Sequence, residues 1–128
     1  MSKKQREHWK NEPDEHDFPA AAAYLSLLFA PPDADALVEA LHAAPLTHRK
    51  AKDLLRASRH ELLPADDPEV ARDLKRVARG ERLSPVLLVR GGSTTAAPLI
   101  VADGYHRICA SYHLDENADV PCRLVDSP

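Results

Sequence analysis

The pattern of apolar and polar residues changes period at one point near the C-terminus. A short apolar run, Leu99 to Val101, ends at Asp103 and Gly104. Beyond this point the apolar residues recur at the spacing of one helical face, at Tyr105, Ile108, Cys109 and Tyr112. A short apolar run is typical of a strand, and the later spacing is typical of a helix, so the sequence predicts a strand, a tight turn and the start of a helix.

Helical spacing and capping residues predict four more helices. They extend from Asp17 to Pro31, from Asp33 to Pro45, from Thr47 past Arg56, and from Asp67 to Gly80. The four residues that open them, Asp17, Asp33, Thr47 and Asp67, are types that accept hydrogen bonds from the first amides of a helix. Prolines close the first two helices, and Gly80 closes the last.

Two more strands complete the predicted elements. Val86 to Val89 are four consecutive apolar residues, which predicts a strand buried on both faces. Apolar residues alternate from Val120 to Leu124, and Pro121 predicts an edge position or a strand start. The segment from Gly91 to Thr95 is typical of a surface loop.

Three strands and about five helices predict a small α+β domain with a short mixed sheet, flanking helices and an N-terminal helical extension. Residues 1–16 form a polar, flexible tail in this interpretation, residues 17–58 an N-terminal helical part, and residues 59–128 the α/β domain. We expect residues 17–128 to form one compact unit. Trp9 is the strongly apolar residue of the tail, and we expect it to pack against its own domain.

The charge balance argues against a broad nucleic-acid surface. There are 17 basic and 20 acidic residues, giving a net charge of −3. The middle of the chain is locally basic, which makes a small set of residues candidates for contact with a polyanion: Arg49, Lys50, Lys52, Arg56 and Arg59. The alternative is an ordinary solvated helix face.

The chain has no apolar run of membrane-spanning length and no signal-peptide pattern, so we expect a cytoplasmic protein without a membrane partner. Cys109 and Cys122 fit that compartment as small buried hydrophobes. His106, Cys109 and His113 share helical spacing that could present three metal ligands, but a fourth is missing from the pattern, and we predict no metal site.

The predicted turn itself suggests an anion site. Gly104 permits close approach to the main chain, and the start of a helix presents free amides and a positive dipole end. His106 and Arg107 fall in the first helical turn, where a guanidinium fork suits phosphate or carboxylate. The alternative is a purely structural turn, with Arg107 solvated and His106 on the outer face of the helix.

The segment Asp103-Gly104-Tyr105-His106-Arg107, followed by an apolar helix and Val120-Pro121-Cys122-Arg123-Leu124, resembles the C-terminal part of the ParB N-terminal domain and sulfiredoxin superfamily. The resemblance continues upstream through Leu62-Leu63-Pro64, Asp67-Pro68, the helix from Glu69 to Arg79 and the strand from Leu83 to Arg90, and covers roughly residues 60–125. Tyr105 occupies the position of the catalytic cysteine of a sulfiredoxin, so the resemblance does not imply sulfinic acid reduction. The early arginine and the Glu-Arg-Arg box of ParB are also missing, so it does not imply a CTP-switched DNA clamp.

What the resemblance implies is binding of a nucleotide or another phosphorylated ligand at this turn. The expected binding residues are Gly104, Tyr105, His106 and Arg107, and a nucleoside triphosphate with Mg²⁺ is a candidate cofactor. If the domain is an enzyme for phosphoryl transfer or nucleotide hydrolysis, Asp103 and His106 are the expected catalytic residues. Asp103 would hold Mg²⁺ or act as a base, or it would orient His106 or Arg107.

Two other functions remain open at this stage. One is a DNA-associated accessory protein of ParB-like ancestry that uses the basic residues from Arg49 to Arg59. The other is a non-catalytic scaffold that binds a protein partner or forms a homo-oligomer. A steep dependence of binding on salt concentration would favour the first of them.

Overall fold

The computed structural model describes residues 8–91 and 97–128, which form a small α+β domain. Its five helices are α1 (Asp17–Leu25), α2 (Pro31–Ala43), α3 (Ala51–Ser58), α4 (Pro68–Ala78) and α5 (Tyr105–Leu114). Its four strands are β1 (Leu46–Lys50), β2 (Val86–Arg90), β3 (Ile100–Asp103) and β4 (Asp119–Asp126). The α+β class is therefore confirmed. Among the described helices, none has both the length and the apolar character that crossing a membrane requires.

The four strands form one mixed sheet in the order β1-β4-β2-β3. Strand β4 pairs antiparallel with β1 and parallel with β2, while β3 pairs antiparallel with β2. Successive side chains of β2 enter two different cores: Leu87 and Val89 pack with α1 and α2, and Val86 and Leu88 pack with α3, α4 and α5. The prediction that β2 is buried on both faces is confirmed, and the sheet is the middle of three layers.

The predicted helix beginning at Thr47 is wrong over its first turn. Residues 46–50 form strand β1 instead, and helix α3 starts only at Ala51. Thr47 lies opposite Cys122 of β4, with its Oγ1 3.6 Å from Cys122 Sγ. Pairing with β4 overrides the capping preference of threonine because it satisfies the backbone of both strands. The sheet therefore has four strands where the sequence predicted three, and the N-terminal helical part contributes one of them.

The predicted edge position of Pro121 is wrong for the same reason. Strand β4 is an interior strand, because β1 covers its outer side. Pro121 is the third residue of β4 and lies opposite His48. A proline has no N–H to give to a sheet. Its place near the beginning of β4 limits that loss to one end of the strand.

The limits of the first two helices also differ from the prediction. Helix α1 ends at Leu25 rather than at the prolines, and turns bonded to Tyr24 and Leu25 carry the chain onward. Pro31 and Pro32 open α2, where a missing N–H has no cost in the first turn. Neither Asp17 nor Asp33 is a cap: both lie inside the first turn of their helices.

The N-terminal limit of α4 is as predicted. Asp67 accepts hydrogen bonds from the amides of Glu69 and Val70, both at 3.1 Å, and Pro68 follows as the first helical residue. The helix ends at Ala78, and Gly80 follows with a φ of +83°. These local signals are read correctly from the sequence because they act within one turn of the residues that carry them.

The part of the tail that the structure describes, residues 8–16, is docked on the domain. Trp9 is buried in the core between the sheet and α3 to α5, as expected, and forms a bridge with Leu83. The backbone amide of Lys10 donates to the carbonyl of Leu83 at 2.8 Å. Residues 1–7 of the predicted flexible tail and residues 92–95 of the predicted loop lie outside the described residues.

Gly104 joins β3 to α5 in a backbone conformation that favours glycine, with a φ of +115°. A Cβ at this position would lie 2.8 Å from Val86 Cβ and closer still to Val86 Cγ1. The turn therefore presses against β2, and the predicted close approach is made by the domain's own core. The β2–β3 ladder has a register shift between Leu87 and Leu88, so that its last pair beside this turn is Leu87 with Asp103.

We expect Gly104→Ala to destabilise the domain by about 2–5 kcal/mol, because it combines positive-φ strain with overpacking against Val86. Gly80→Ala is the matched control: its φ is also positive, but no atom lies within 4 Å of the added methyl. We expect the control to cost only the strain, about 1–2 kcal/mol. Urea unfolding of both variants measures the difference, and equal losses would contradict the packing role of Gly104.

Candidate functional site

A polar cleft of about 290 Å³ lies where the β3–α5 turn meets helix α4 and the segment before α1. Its walls carry five carboxylates, three guanidinium groups and two imidazoles. The charged and histidine side chains are Asp14, His16, Asp17, Glu69, Arg72, Asp73, Arg76, Asp103, His106 and Arg107. All five residues predicted for the turn, Asp103 to Arg107, therefore meet in this cleft, because Gly104 and Tyr105 also line it.

Arg107 is the central cation of the cleft. Its Nη2 donates to Asp103 Oδ2 at 2.9 Å and to the carbonyl of Pro85 at 3.2 Å, and it lies 3.8 Å from Asp17 Oδ2. Its Nε is buried and has no hydrogen-bond partner in the described part of the chain. Only 16% of this side chain is exposed. The guanidinium is thus held in place by oxygens of the domain itself, and direct phosphate binding by Arg107 stays a prediction.

Asp103 lies between this guanidinium and a second carboxylate. Burial raises the pKa of Asp103, and the nearby Asp17 carboxylate raises it further, while Arg107 acts in the opposite direction. Of the roles that the sequence left open for Asp103, the geometry supports orientation of Arg107, at one helical turn of separation. A carboxyl with a raised pKa is also suited to proton transfer nearer to neutral pH.

His106 contacts helix α4. Its Nδ1 lies 2.7 Å from Glu69 Oε2, and the ring remains partly exposed. This contact joins the first turn of α5 to α4 on one side of the cleft. A protonated His106 would add positive charge at the end of the helix where the dipole is already positive.

Helix α4 contributes a charged face that the sequence analysis did not single out. Glu69, Arg72, Asp73 and Arg76 are spaced so that they share one side of the helix, and all four line the cleft. Arg76 lies 3.6 Å from Asp73 and 3.9 Å from Glu81. Arg72 is exposed and has no carboxylate within ion-pair distance among the described residues, so its guanidinium is available to an anion in the cleft.

Asp73 is the most buried carboxylate of that face. Only 8% of its side chain is exposed, and burial raises its pKa against the attraction of Arg107, Arg76, Arg72 and His106. Val70 and Val77, one turn before and one turn after Asp73 on the adjoining side of α4, lie in the core. The signal that could have found it is the spacing of charged residues at positions 69, 72, 73 and 76, the polar complement of the apolar stripe.

Tyr105 belongs to the far rim of the cleft. Its hydroxyl donates to the carbonyl of Glu61, and its ring lies 4.7 Å from the ring of His60. Burial raises the pKa of Tyr105. Tyr105 therefore anchors α5 to the segment before α4, and its role in ligand binding stays a prediction.

The segment before α1 adds a cluster that was missed because Asp17 was interpreted as a helix cap. The ligand atoms of Asp14, His16 and Asp17 all lie within 4.8 Å of one another. Asp14 is already paired with Lys10 at 2.7 Å, and Asp17 accepts a hydrogen bond from the amide of Asp14 at 3.1 Å. The carboxylate oxygens are the donors that Mg²⁺ prefers, whereas the imidazole is not.

The three residues considered as metal ligands on α5 have different neighbours. His106 meets Glu69, Cys109 is fully buried in the core, and His113 Nε2 lies 2.7 Å from the carbonyl of Leu63. Cys109 and Cys122 are both buried free thiols, as expected. Burial raises the pKa of both thiols.

The basic residues proposed for polyanion contact are divided between two elements. Arg49 and Lys50 lie on the exposed end of β1, while Lys52 and Arg56 lie on α3. Arg56 lies 3.5 Å from Asp53 of the same helix. These residues lie outside the cleft, and their contact with a polyanion stays a prediction.

The burial of Asp73 has a consequence for stability. Since its pKa is raised in the folded chain, the folded state binds this proton more tightly than the unfolded state, and stability is lost as pH rises through the folded-state pKa. We expect Asp73→Asn to increase the free energy of unfolding at pH 7, with a gain that shrinks as pH falls towards the ordinary carboxyl value of 3.8. Urea unfolding at a series of pH values measures this, with the exposed Asp66→Asn as control. A gain that is independent of pH would be inconsistent with a desolvated carboxylate.

Comparisons of the chain with protein-family models, with curated proteins and with solved structures found no match. The resemblance of residues 60–125 to the ParB and sulfiredoxin superfamily therefore stays a prediction. What is established for this chain is a small α+β domain whose β3–α5 turn opens into a strongly charged cleft.

Proposed function

We propose that this domain binds a nucleotide or another phosphorylated ligand in the cleft beside the Asp103–Arg107 turn. The proposal rests on one observation. Arg72, a cation without an ion-pair partner among the described residues, lines the same cleft as the N-terminus of α5. Backbone amides at a helix N-terminus and a nearby guanidinium are complementary to the oxygens of a phosphate group. The resemblance of this turn to a phosphate-binding superfamily adds independent support.

In this proposal the phosphate lies near Arg72 and His106, with Arg107 at the base of the cleft. Arg107 is engaged by Asp103, Asp17 and the Pro85 carbonyl, so its part is to hold the turn and to offset the carboxylates. Displacing these partners would leave buried carboxylates without a counter-charge, which is costly. A Mg²⁺ ion that accompanies a nucleotide would find oxygen ligands at Asp14 and Asp17, on the acidic side of the cleft.

The electrostatics of the cleft favour a ligand of mixed character. Five carboxylates and three guanidinium groups line its walls, so a bare polyanion would meet repulsion on one side. A phosphate ester whose remaining parts are neutral, or whose charge is shared with Mg²⁺, fits both sides. A nucleotide therefore fits the charges of the cleft better than inorganic polyphosphate does.

We expect a nucleoside diphosphate or triphosphate at about 100 times its dissociation constant to stabilise the domain by about 2.7 kcal/mol in a thermal-shift experiment. Arg72→Ala removes one charge-assisted contact and should weaken binding about tenfold or more. The stabilisation at the same ligand concentration then falls by about 1.4 kcal/mol.

Arg79→Ala is the matched control, because Arg79 follows the same helix, pairs with Glu81 at 2.9 Å and does not line the cleft. It should leave the ligand-induced shift unchanged. The absence of a shift in the wild type with every nucleotide, with and without Mg²⁺, would refute the proposal. Equal loss in Arg72→Ala and Arg79→Ala would move the ligand out of this cleft.

A catalytic form of the proposal is favoured by one observation, the raised pKa of Asp103 beside the Asp17 carboxylate. In a phosphoryl-transfer or nucleotide-hydrolysing enzyme, Asp103 would be the proton acceptor, with His106 as a second polar group near the phosphate. We expect Asp103→Asn to lower phosphate release by at least about 100-fold. Asp66→Asn, an exposed change outside the cleft, should leave it unaffected. Nucleotide binding without measurable phosphate release in the wild type would restrict the function to binding.

A further inference from the structure

Asp73 is a buried acceptor that lines the cleft and lacks a hydrogen bond. Its side chain is only 8% exposed. The nearest cation, Arg76 Nη1, lies at 3.6 Å, which is an ion-pair distance but too long for a hydrogen bond. Among the residues that the structure describes, none donates a hydrogen bond to this carboxylate. The contrast with Asp67 is direct, since that carboxylate on the same helix accepts two backbone amides at 3.1 Å.

A carboxylate that is nearly buried and receives no hydrogen bond from the protein is uncommon in folded proteins, and because the oxygens of Asp73 are not fully enclosed, they face the open side of the cleft. Buried polar groups are nearly always hydrogen-bonded, because leaving one unsatisfied forfeits its hydration without compensation. The remaining opening of Asp73 is the cleft, so the missing donor has to approach from there. This observation points to a bound molecule independently of the helix N-terminus and of Arg72.

The charges around Asp73 restrict the type of donor. Arg107, Arg76, Arg72 and His106 all act on this carboxylate. They come from both helices that form the cleft, α4 and α5. A further ammonium or guanidinium group would be repelled by this set, whereas a neutral hydroxyl would not. The donor that suits the position is therefore a hydroxyl group.

We propose that Asp73 is a specificity-determining residue that accepts a hydrogen bond from a hydroxyl of the bound ligand, so that the cleft selects hydroxylated phosphate esters such as ribonucleotides. This inference rests on the proposed phosphate site, and it assigns the second half of the ligand. Arg72 lies one residue before Asp73 on the same face of α4, so one helix turn presents a cation for phosphate and an acceptor for a sugar hydroxyl. A ribose with its attached phosphate carries both groups within a few ångströms.

A structural role for Asp73, as counter-charge to the surrounding arginines, makes a different prediction. In that case Asp73→Asn would change the affinity for all phosphate compounds in the same way, through the field of the cleft. A hydrogen bond to one hydroxyl affects only ligands that carry this hydroxyl. The two roles are therefore separated by the ligand rather than by the variant.

The experiment compares three probes on the full chain by calorimetry: ribonucleoside diphosphates, their 2′,3′-dideoxy counterparts and inorganic pyrophosphate. The wild type should bind the ribonucleotide about tenfold or more tightly than the dideoxy compound, as expected for a hydrogen bond to a charged acceptor. Asp73→Asn should lose this discrimination, while the charge that it removes strengthens the binding of all three probes by a common factor. Asp66→Asn, the exposed control, should behave as the wild type.

Each other outcome overturns the inference in a recognisable way. If pyrophosphate and dideoxynucleotides bind but the wild type does not distinguish ribonucleotides, the phosphate site stands and the hydroxyl contact is wrong. If Asp73→Asn changes the affinity for all three probes by the same factor and the preference for ribonucleotides persists, Asp73 acts through charge alone. If no probe binds the wild type, the phosphate site and the hydroxyl contact fail together.

Discussion

The contacts of one guanidinium hold together the parts of the chain that form the cleft. Arg107 joins Asp103 at the end of β3, the carbonyl of Pro85 just before β2, and Asp17 at the start of α1. These three partners come from separate segments of the chain, two at the sheet and one in a helix that covers it. With opposite charges largely removed from water, the cost of separating them is high, so the cluster fixes the position of the N-terminal segment relative to the β3–α5 turn. The shape of the cleft depends on this arrangement.

The polar cleft interrupts neither of the two hydrophobic cores of this small domain. Strand β2 divides the apolar residues into two cores, and each core is closed by helices on its own side of the sheet. The cleft opens at the end of β3, where α5 begins and Gly104 presses against Val86. The site therefore lies at the border of both cores rather than within either. Its charged side chains line a cleft that opens to solvent, and its backbone is supported by close packing.

Some charged groups of the cleft contact one another, and others have no such partner among the described residues. Asp103 and Asp17 are engaged by Arg107, whereas Arg72 has no such partner among the described residues and Asp73 has no hydrogen-bond donor there. Groups that satisfy one another stabilise the fold, and groups that are left unsatisfied are candidates for ligand contact. This distinction moves attention from the arginine of the turn to helix α4. The proposed ligand contacts therefore combine side chains of α4 with the motif that first suggested the site.

The sequence alone determined the elements whose signals are local. The strand, turn and helix around Gly104, the doubly buried β2, the Asp67 cap and the buried Trp9 were all predicted, because each depends on neighbouring residues or on simple periodicity. Tertiary structure decided the rest. Residues 46–50 form a strand because they pair with the outer side of β4. Asp17 is not the predicted helix cap, and its carboxylate lies near Arg107 instead. Asp73 became a candidate for the site through the packing of α4 against α5, since long-range pairing and burial of charge leave little trace in a local pattern.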